Sequence, residues 1–116
     1  MNTWKHFYFQ LACYGVSNIK QQIDDVVWEI VHLNCLIRDF SLSERDLARI
    51  AKREKADCAK RLSQLEVQLH YTFKIKIVLE EVVDYGEWSF YMDHLIKEMG
   101  NEIIKVQSGD FTRRRG

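Results

Sequence analysis

The sequence predicts a mainly α domain, an antiparallel bundle of three to four helices in which the helices are long. Three observations predict it. There is no proline and no glycine between Gly15 and Gly86, so the residues that ordinarily interrupt helices are missing over most of the chain. Apolar residues recur at gaps of three and four over long stretches, the spacing that lines one face of a helix. Ser43 and Asp84 are each followed three residues later by an acid, a pattern that marks fresh helix starts.

The first helix is expected to begin near Ser17 or Asn18, whose side chains can cap its free N–H groups. Ile19, Ile23, Val26, Ile30, Leu33, Ile37 and Phe40 then alternate gaps of four and three, with Val27 and Leu36 widening the stripe. The second helix is expected to start at Ser43, with Asp46 completing a capping box and Leu42 and Leu47 forming a staple across the turn. Leu47, Ile50, Ala51, Cys58, Leu62 and Leu65 give it an apolar face. The connection from Phe40 to Ser43 is short, so these two helices should form an antiparallel hairpin.

The stretch from Val67 to Leu79 carries two patterns. Val67, Leu69, Tyr71, Phe73, Ile75, Ile77 and Leu79 alternate with polar residues, as in a half-buried β-strand. The same residues also make two helical stripes: Leu65, Leu69, Phe73 and Ile77 form one, and Val67, Tyr71, Ile75, Val78 and Val82 the other. A helix apolar on two sides belongs at the centre of a bundle or an oligomer. We take the helix as the main expectation and the strand, an α+β arrangement, as its alternative, because a lone pair of strands is weakly stable.

A third helix is expected from Asp84, with Glu87 completing the box and Val83 and Trp88 as the staple. It carries Trp88, Tyr91, Met92, Leu95, Met99, Ile103 and Val106. Gly100 lies inside it, which suggests close packing against a neighbour, and Gly109 stands where a stop belongs. Trp4, Phe7, Tyr8, Phe9 and Leu11 are expected to cover one end of the core, with an exposed docking patch as the alternative.

With 116 residues there is room for one core. Residues 1–107 are read as a single helical domain and 108–116, with Arg113, Arg114 and Arg115, as a flexible basic tail. Seventeen basic and seventeen acidic side chains cancel, so overall charge gives no argument for nucleic acid or an anionic membrane. No apolar run reaches the roughly 18 residues of a membrane span, since Asp24, Asp25, Glu29, Lys74 and Lys76 interrupt the candidates. The N-terminus lacks a signal-peptide layout. Cys13, Cys35 and Cys58 are odd in number and widely spaced, neither a disulfide framework nor a zinc signature, and they suit a reducing cytoplasm.

Charge is nevertheless uneven. Arg45, Arg49, Lys52, Arg53, Lys55, Lys60 and Arg61 outnumber the acids between them, an excess of four positives. From Glu80 to Glu102 seven acids face only Lys97, an excess of six negatives. Such segments can pair within a bundle or across a dimer, or present a patch to an outside partner.

The segment from Leu42 to Glu66 contains Asp46-Leu47-Ala48, then Arg61-Leu62, then Leu65-Glu66. In this it resembles the helix-turn-helix core of small bacterial repressors. The resemblance implies that Arg45, Arg49, Lys52, Arg53, Lys55, Lys60 and Arg61 would face phosphates or bases, with the basic tail adding contacts. Lys52 stands where such a turn carries glycine, and Arg53 where it carries an apolar plug. A single uninterrupted helix with a basic outer face is therefore the favoured reading.

Candidate chemistry is sparse. His32 and Cys35 share a helical face but lack further ligands at metal spacing, and packing at the core or its boundary is expected for them. His94 and Glu98 are spaced as an exposed helix pair. Cys58 sits amid Lys55, Lys60 and Arg61, which would lower a thiol pKa, but its place on the apolar stripe favours inert packing. Asp24-Asp25 and Glu80-Glu81 are neighbours whose side chains diverge by about 100° on a helix. No phosphate loop or nucleophile elbow occurs. The sequence therefore points to a non-enzymatic protein–protein interaction module without cofactor or metal: a small regulator, adaptor or inhibitor, coiled-coil-like and homodimeric, that also contacts another protein. Ile23, Ile30, Ile37, Tyr71, Trp88 and Tyr91 are the candidate interface residues. The rival is a helix-turn-helix DNA-binding regulator using residues 42–66; a weaker third reading places an intersubunit enzyme site around His94.

Overall fold

The structure, a computed structural model, describes residues 3–40 and 44–108. Three helices follow one another: α1, Thr3–Phe40; α2, Arg45–Glu81; and α3, Tyr85–Gln107. The α1–α2 hairpin is the long axis of the molecule, and α3 turns back along the C-terminal half of α2. Among the described residues there is no strand, which overturns the strand reading of Val67–Leu79.

The heptad stripe of α1 seals the hairpin. Ile19, Val26 and Leu33 are buried against Ala51, Cys58 and Leu65 of α2, with Ile23, Ile30, Leu36, Ile37, Leu62 and Leu69 packed around them. The helix does not start at Ser17 or Asn18 as its sequence suggests. It starts at Thr3, and Ala12, four and seven residues behind Val16 and Ile19, is buried on the same face. Aromatics on all sides of the first turns obscure that continuation of the stripe. Near Gly15 the two long helices come close: a Cβ placed there would meet Thr72 Cγ2 at 3.5 Å.

The two stripes of the Val67–Leu79 stretch have separate destinations. Leu65 and Leu69 face α1. Val67 and Tyr71 are buried with Leu95 and Val106 of α3, and Ile75, Val78, Met99 and Ile103 pack against them. The two-sided helix is thus central to the bundle, as that pattern requires. Phe73 and Ile77 fall to neither partner and stay 40% and 57% exposed. Lys20 and Lys76 instead place their ammonium groups over the Phe73 ring, each 5.9 Å from its centroid.

A third cluster closes the end where α2 passes to α3. Leu79, Val82 and Trp88 are buried there, with Trp4, Tyr8, Phe9 and Met92 against them. Three members of the N-terminal aromatic group therefore do cover one end of the core, while Phe7 and Leu11 point to solvent.

The helix starts differ from expectation in detail. Ser43 lies outside the described residues, as do Leu42 and Gly109; Glu44 is the N-cap of α2 and makes no side-chain cap bond. At α3 the first half of the box forms: Asp84 Oδ1 accepts the N–H of Glu87 at 2.8 Å. Glu87 Oε2 returns to the N–H of Val83, at 3.5 Å, one residue before the cap. Val83 does not staple Trp88, being 76% exposed; the indole is enclosed by Val82 and the aromatics of α1. Gly100 is not packed against a neighbour either, because a Cβ there would meet nothing within 4 Å. At the far end of α3 the Ser108 hydroxyl donates to the carbonyl of Lys105 at 2.9 Å.

The helix lengths give the molecule a step. At about 1.5 Å per residue, α1 and α2 run some 55 Å, while the 23 residues of α3 cover about 34 Å. Because Val106 near the end of α3 packs in the cluster of Val67, the half of the hairpin formed by the end of α1 and the start of α2 extends beyond α3 as a two-helix arm. The radius of gyration is 18.6 Å and the extents 63 × 24 × 19 Å, against about 13 Å expected for a rounded chain of this length.

Candidate interaction surfaces

The step decides which side chains remain uncovered. On α1 the outer face carries Phe7, Leu11 and Tyr14 at gaps of four and three, then Trp28 and Val31 further along, with Val27 beside them. Tyr14 and Trp28 are 76% and 72% exposed. Tyr14 also lines two shallow hollows on this face, one with Gly15, Ser17, Asn18 and Gln21 and one with Gln10, Cys13 and Ser17. On the arm, α2 exposes Leu47 and Ile50. On α3, Phe90, Ile96 and Ile104 stand away from the side that buries Trp88, Leu95 and Val106.

Of the residues the sequence nominates for an interface, the structure brings few to the surface. Ile23, Ile30 and Ile37 are half-buried in the α1–α2 core. Tyr71 and Trp88 are 5% and 2% exposed, enclosed by the chain's own helices and not available to a partner. Tyr91 alone is open, at 42%. The stripes that sequence periodicity detects most readily are those a bundle uses internally. The signal for the outer residues was weaker but present: Phe7, Leu11, Tyr14 and Trp28 are large apolar residues off the main stripe of α1.

The basic group Arg45, Arg49, Lys52, Arg53, Lys55, Lys60 and Arg61 lies on one unbroken helix, Arg45–Glu81. There is no turn within it, so the helix-turn-helix arrangement is absent. Arg45, Arg49 and Lys52 line a shallow hollow with Ala48. Arg49 Nη2 stands 4.0 Å from Asp46 Oδ1, with both side chains well exposed, a pair worth little in stability. All of this group lies on the arm, past the end of α3, so the acid-rich segment from Glu80 to Glu102 is not folded onto it. Among the described residues the two segments are thus not paired within one chain, which was one of the arrangements their charges allow.

The titratable candidates are local. His94 Nε2 and Glu98 Oε1 are 3.2 Å apart on the surface, as their spacing suggests. His32 and Cys35 are both exposed, not in the core or at its edge. Among the described residues no group of three or more His, Cys, Asp or Glu converges as a metal site would need. Cys58 is buried, and burial pushes its thiol pKa up, with Glu29, Glu54 and Asp57 acting in the same direction. The nearby lysines and arginine do not activate it. Tyr8 and Tyr85 approach hydroxyl to hydroxyl at 3.4 Å, and that hydrogen bond together with the charge of Tyr85 raises the Tyr8 pKa.

Among the described residues no helix is long and apolar enough to cross a membrane. No family model, curated protein or solved structure matches this chain, so its surfaces are the only guide to what it does.

Proposed function

We propose that this chain is a non-enzymatic protein–protein interaction module, a small regulator, adaptor or inhibitor that works as a homodimer. It meets its partners through apolar side chains on the outer faces of its helices and through charged flanks. One observation carries the reading. Three buried clusters already satisfy the fold, and yet Tyr14, Trp28 and Phe90 stand 76%, 72% and 69% exposed. Large apolar residues left in water on the outer faces of helices are a frequent mark of a surface that associates. Covering them stabilises by roughly 25 cal/mol per Å² of apolar area.

Light scattering of the purified chain over a wide concentration range tests this directly. A dimer at micromolar concentration is the expected result; a well-behaved monomer up to about 1 mM, a regime in which only binding weaker than about −4 kcal/mol goes unseen, overturns it. Titration with duplex DNA at two salt concentrations addresses the rival. Flat curves agree with the interaction module, whereas micromolar binding that weakens steeply with salt would replace it with nucleic-acid recognition.

A further inference from the structure

The side of α2 that faces α3 does not stop where α3 stops. Val67, Tyr71 and Val78 pack with α3 on that side. Arg49, Arg53 and Lys60 stand eighteen residues before them, one each, and eighteen residues make about five full turns. Arg45 keeps the same interval to the buried Ser63. Lys52, eleven residues before Ser63, falls about 20° from it on the helix. These five cations thus line the arm in the lane that α3 occupies further along α2. We propose that this lane receives one acidic helix of a partner protein, its carboxylates set against Arg45, Arg49, Lys52, Arg53 and Lys60. This rests on the interaction module proposed above and names the chemistry of its partner.

The charge of the lane is open. Arg45, Arg49, Lys52 and Arg53 are exposed and Lys60 is half-buried. Among the described residues the ion pair these five make is that of Arg49 with Asp46, 4.0 Å apart and well exposed, so the chain leaves the lane largely unneutralised. α3 ends at Gln107, and residues 45–63 ahead of it run about 28 Å, room for about eighteen residues of helix. Arg45, Arg49 and Lys52 follow one another at gaps of four and three, the repeat with which a helix presents its own side chains on one face. With Ala48 they border a hollow into which a carboxylate can reach.

Width decides between an acidic helix and a broader polyanion. The arm as a whole is not basic: on its α1 half Asp24, Asp25, Glu29 and Asp39 outnumber Arg38, an excess of three negatives against the four positives of residues 45–61. Glu29, Glu54 and Asp57 gather near Cys58, on the side of the lane toward α1. A helix about 10 Å across covers the cations and stays clear of that acidic border. A DNA duplex does not. The two-helix arm is about 20 Å across, too wide for a major groove of about 12 Å, and phosphates laid over the lane also meet the acids. No aromatic residue occurs from Leu42 to Glu66, so single-stranded nucleic acid finds no stacking platform there. The chain's own residues 109–116 carry Arg113, Arg114 and Arg115, and α3 of a second copy carries Lys97 between Phe90 and Ile104. Neither supplies an acidic face.

Fluorescence anisotropy on the full chain provides the test. The probe is an alanine-rich helical peptide of about eighteen residues, with glutamates at gaps of four and three so that they share one face. Its control has the same composition with the glutamates spread round the helix. The one-sided peptide should bind with Kd below about 0.1 mM at about 0.1 M sodium chloride, and at least about tenfold more weakly at about 0.5 M, where screening is stronger. The control should bind at least about fivefold more weakly than the one-sided peptide. Arg49→Glu with Arg53→Glu, in the lane, should lower the affinity at least about tenfold. Lys55→Glu with Arg61→Glu, the same charge change to either side of the lane, should lower it less than about threefold. Circular dichroism checks that the variants stay folded, and Arg61→Glu alone replaces the second pair if the half-buried Lys55 does not tolerate the change. Failure of the one-sided peptide to bind, or equal losses from the two pairs, overturns the lane. A duplex of about twenty base pairs that binds more tightly than the peptide, and loses affinity with the Arg49→Glu, Arg53→Glu pair, assigns the lane to nucleic acid and overturns the proposed function as well. Light scattering reads the dimer separately. A chain that dimerises without binding the peptide loses the lane and keeps the function, whereas a monomer that binds the peptide through the lane keeps the lane and loses the dimer.

Discussion

The indole of Trp88 lies 6.5 Å from that of Trp4, centroid to centroid, at an interplanar angle of 37°, so the first turn of α1 closes over the start of α3. Tyr85 adds an edge-on contact to Trp4 at 5.5 Å, and Tyr8 approaches Trp88 at the same distance. Four aromatic rings from two ends of the chain thus hold the junction of α2 and α3. Such pairs contribute about 0.5–1.5 kcal/mol each beyond the area they bury.

Replacing Trp88 by alanine should therefore cost about 3–5 kcal/mol, the range for emptying a large buried aromatic site. Trp4 is only half-buried, and Trp4→Ala should cost about 1–2 kcal/mol. Urea titration followed by far-ultraviolet circular dichroism gives both values. Equal midpoints for the two variants would mean that the aromatic cluster is not centred on Trp88.

The Asp84 cap is a separate contribution, since it acts on the backbone of α3 and not on its packing. Its carboxylate accepts the Glu87 N–H at 2.8 Å and adds a negative charge where the helix dipole favours one. Asp84→Ala should lose about 1 kcal/mol, and Asp84→Ser should retain most of it, because serine caps nearly as well. A serine variant as unstable as the alanine one would show that charge, and not the cap bond, is what matters at that end.

How much of this was legible in advance depended on whether a pattern had one physical solution or several. The α1 stripe had one: Ile19 to Ile37 packs against α2 as expected, while Val27, expected to widen it, is 42% exposed on the outer face. The Val67–Leu79 stretch had two, because alternation in a segment that is apolar on two helical faces satisfies both periods at once; what separates them is whether a partner strand exists. The start of α1 was hidden because Trp4, Phe7, Tyr8 and Phe9 are apolar on every side, so no period stands out, and the choice of Ser17 or Asn18 rested on a cap signal inside a continuous helix. Tyr71 and Trp88 were nominated for an interface because periodicity marks burial without saying whether the burying surface belongs to the same chain. The step left by a short α3 is a matter of relative helix length and end point, set by Val106 packing beside Val67, which periodicity does not encode.

Gly100 offers a stabilising change. It sits in the middle of α3, and a methyl group added there would meet nothing within 4 Å. Glycine in a helix interior costs about 0.8–1.0 kcal/mol relative to alanine, so Gly100→Ala should stabilise by nearly that amount and raise Tm by about 4 °C in a chain of this size. Differential scanning calorimetry decides the matter. A lowered Tm would reveal a close neighbour at Gly100 that the isolated chain does not have.

The three thiols should separate cleanly by reactivity. Cys35 is exposed, Cys13 half-buried and Cys58 buried. Burial, followed by the carboxylates of Glu29, Glu54 and Asp57, raises the Cys58 pKa above its ordinary value of 9.0, so the fold favours the neutral thiol. Below about pH 9 the folded and unfolded chains both hold that proton, and stability does not depend on it. Above that pH the unfolded chain releases the proton first, so stability should fall with rising pH through the folded-state pKa. Iodoacetamide at pH 8 should modify Cys35 fastest, Cys13 more slowly and Cys58 only after denaturation, because the thiolate is the reacting form. Cys58→Ala should flatten the loss of stability at alkaline pH relative to the wild type, at the expense of a small cavity between α1 and α2. Rapid labelling of Cys58 in the native protein, or an alkaline profile unchanged by its removal, would place that thiol outside the sealed seam of the hairpin.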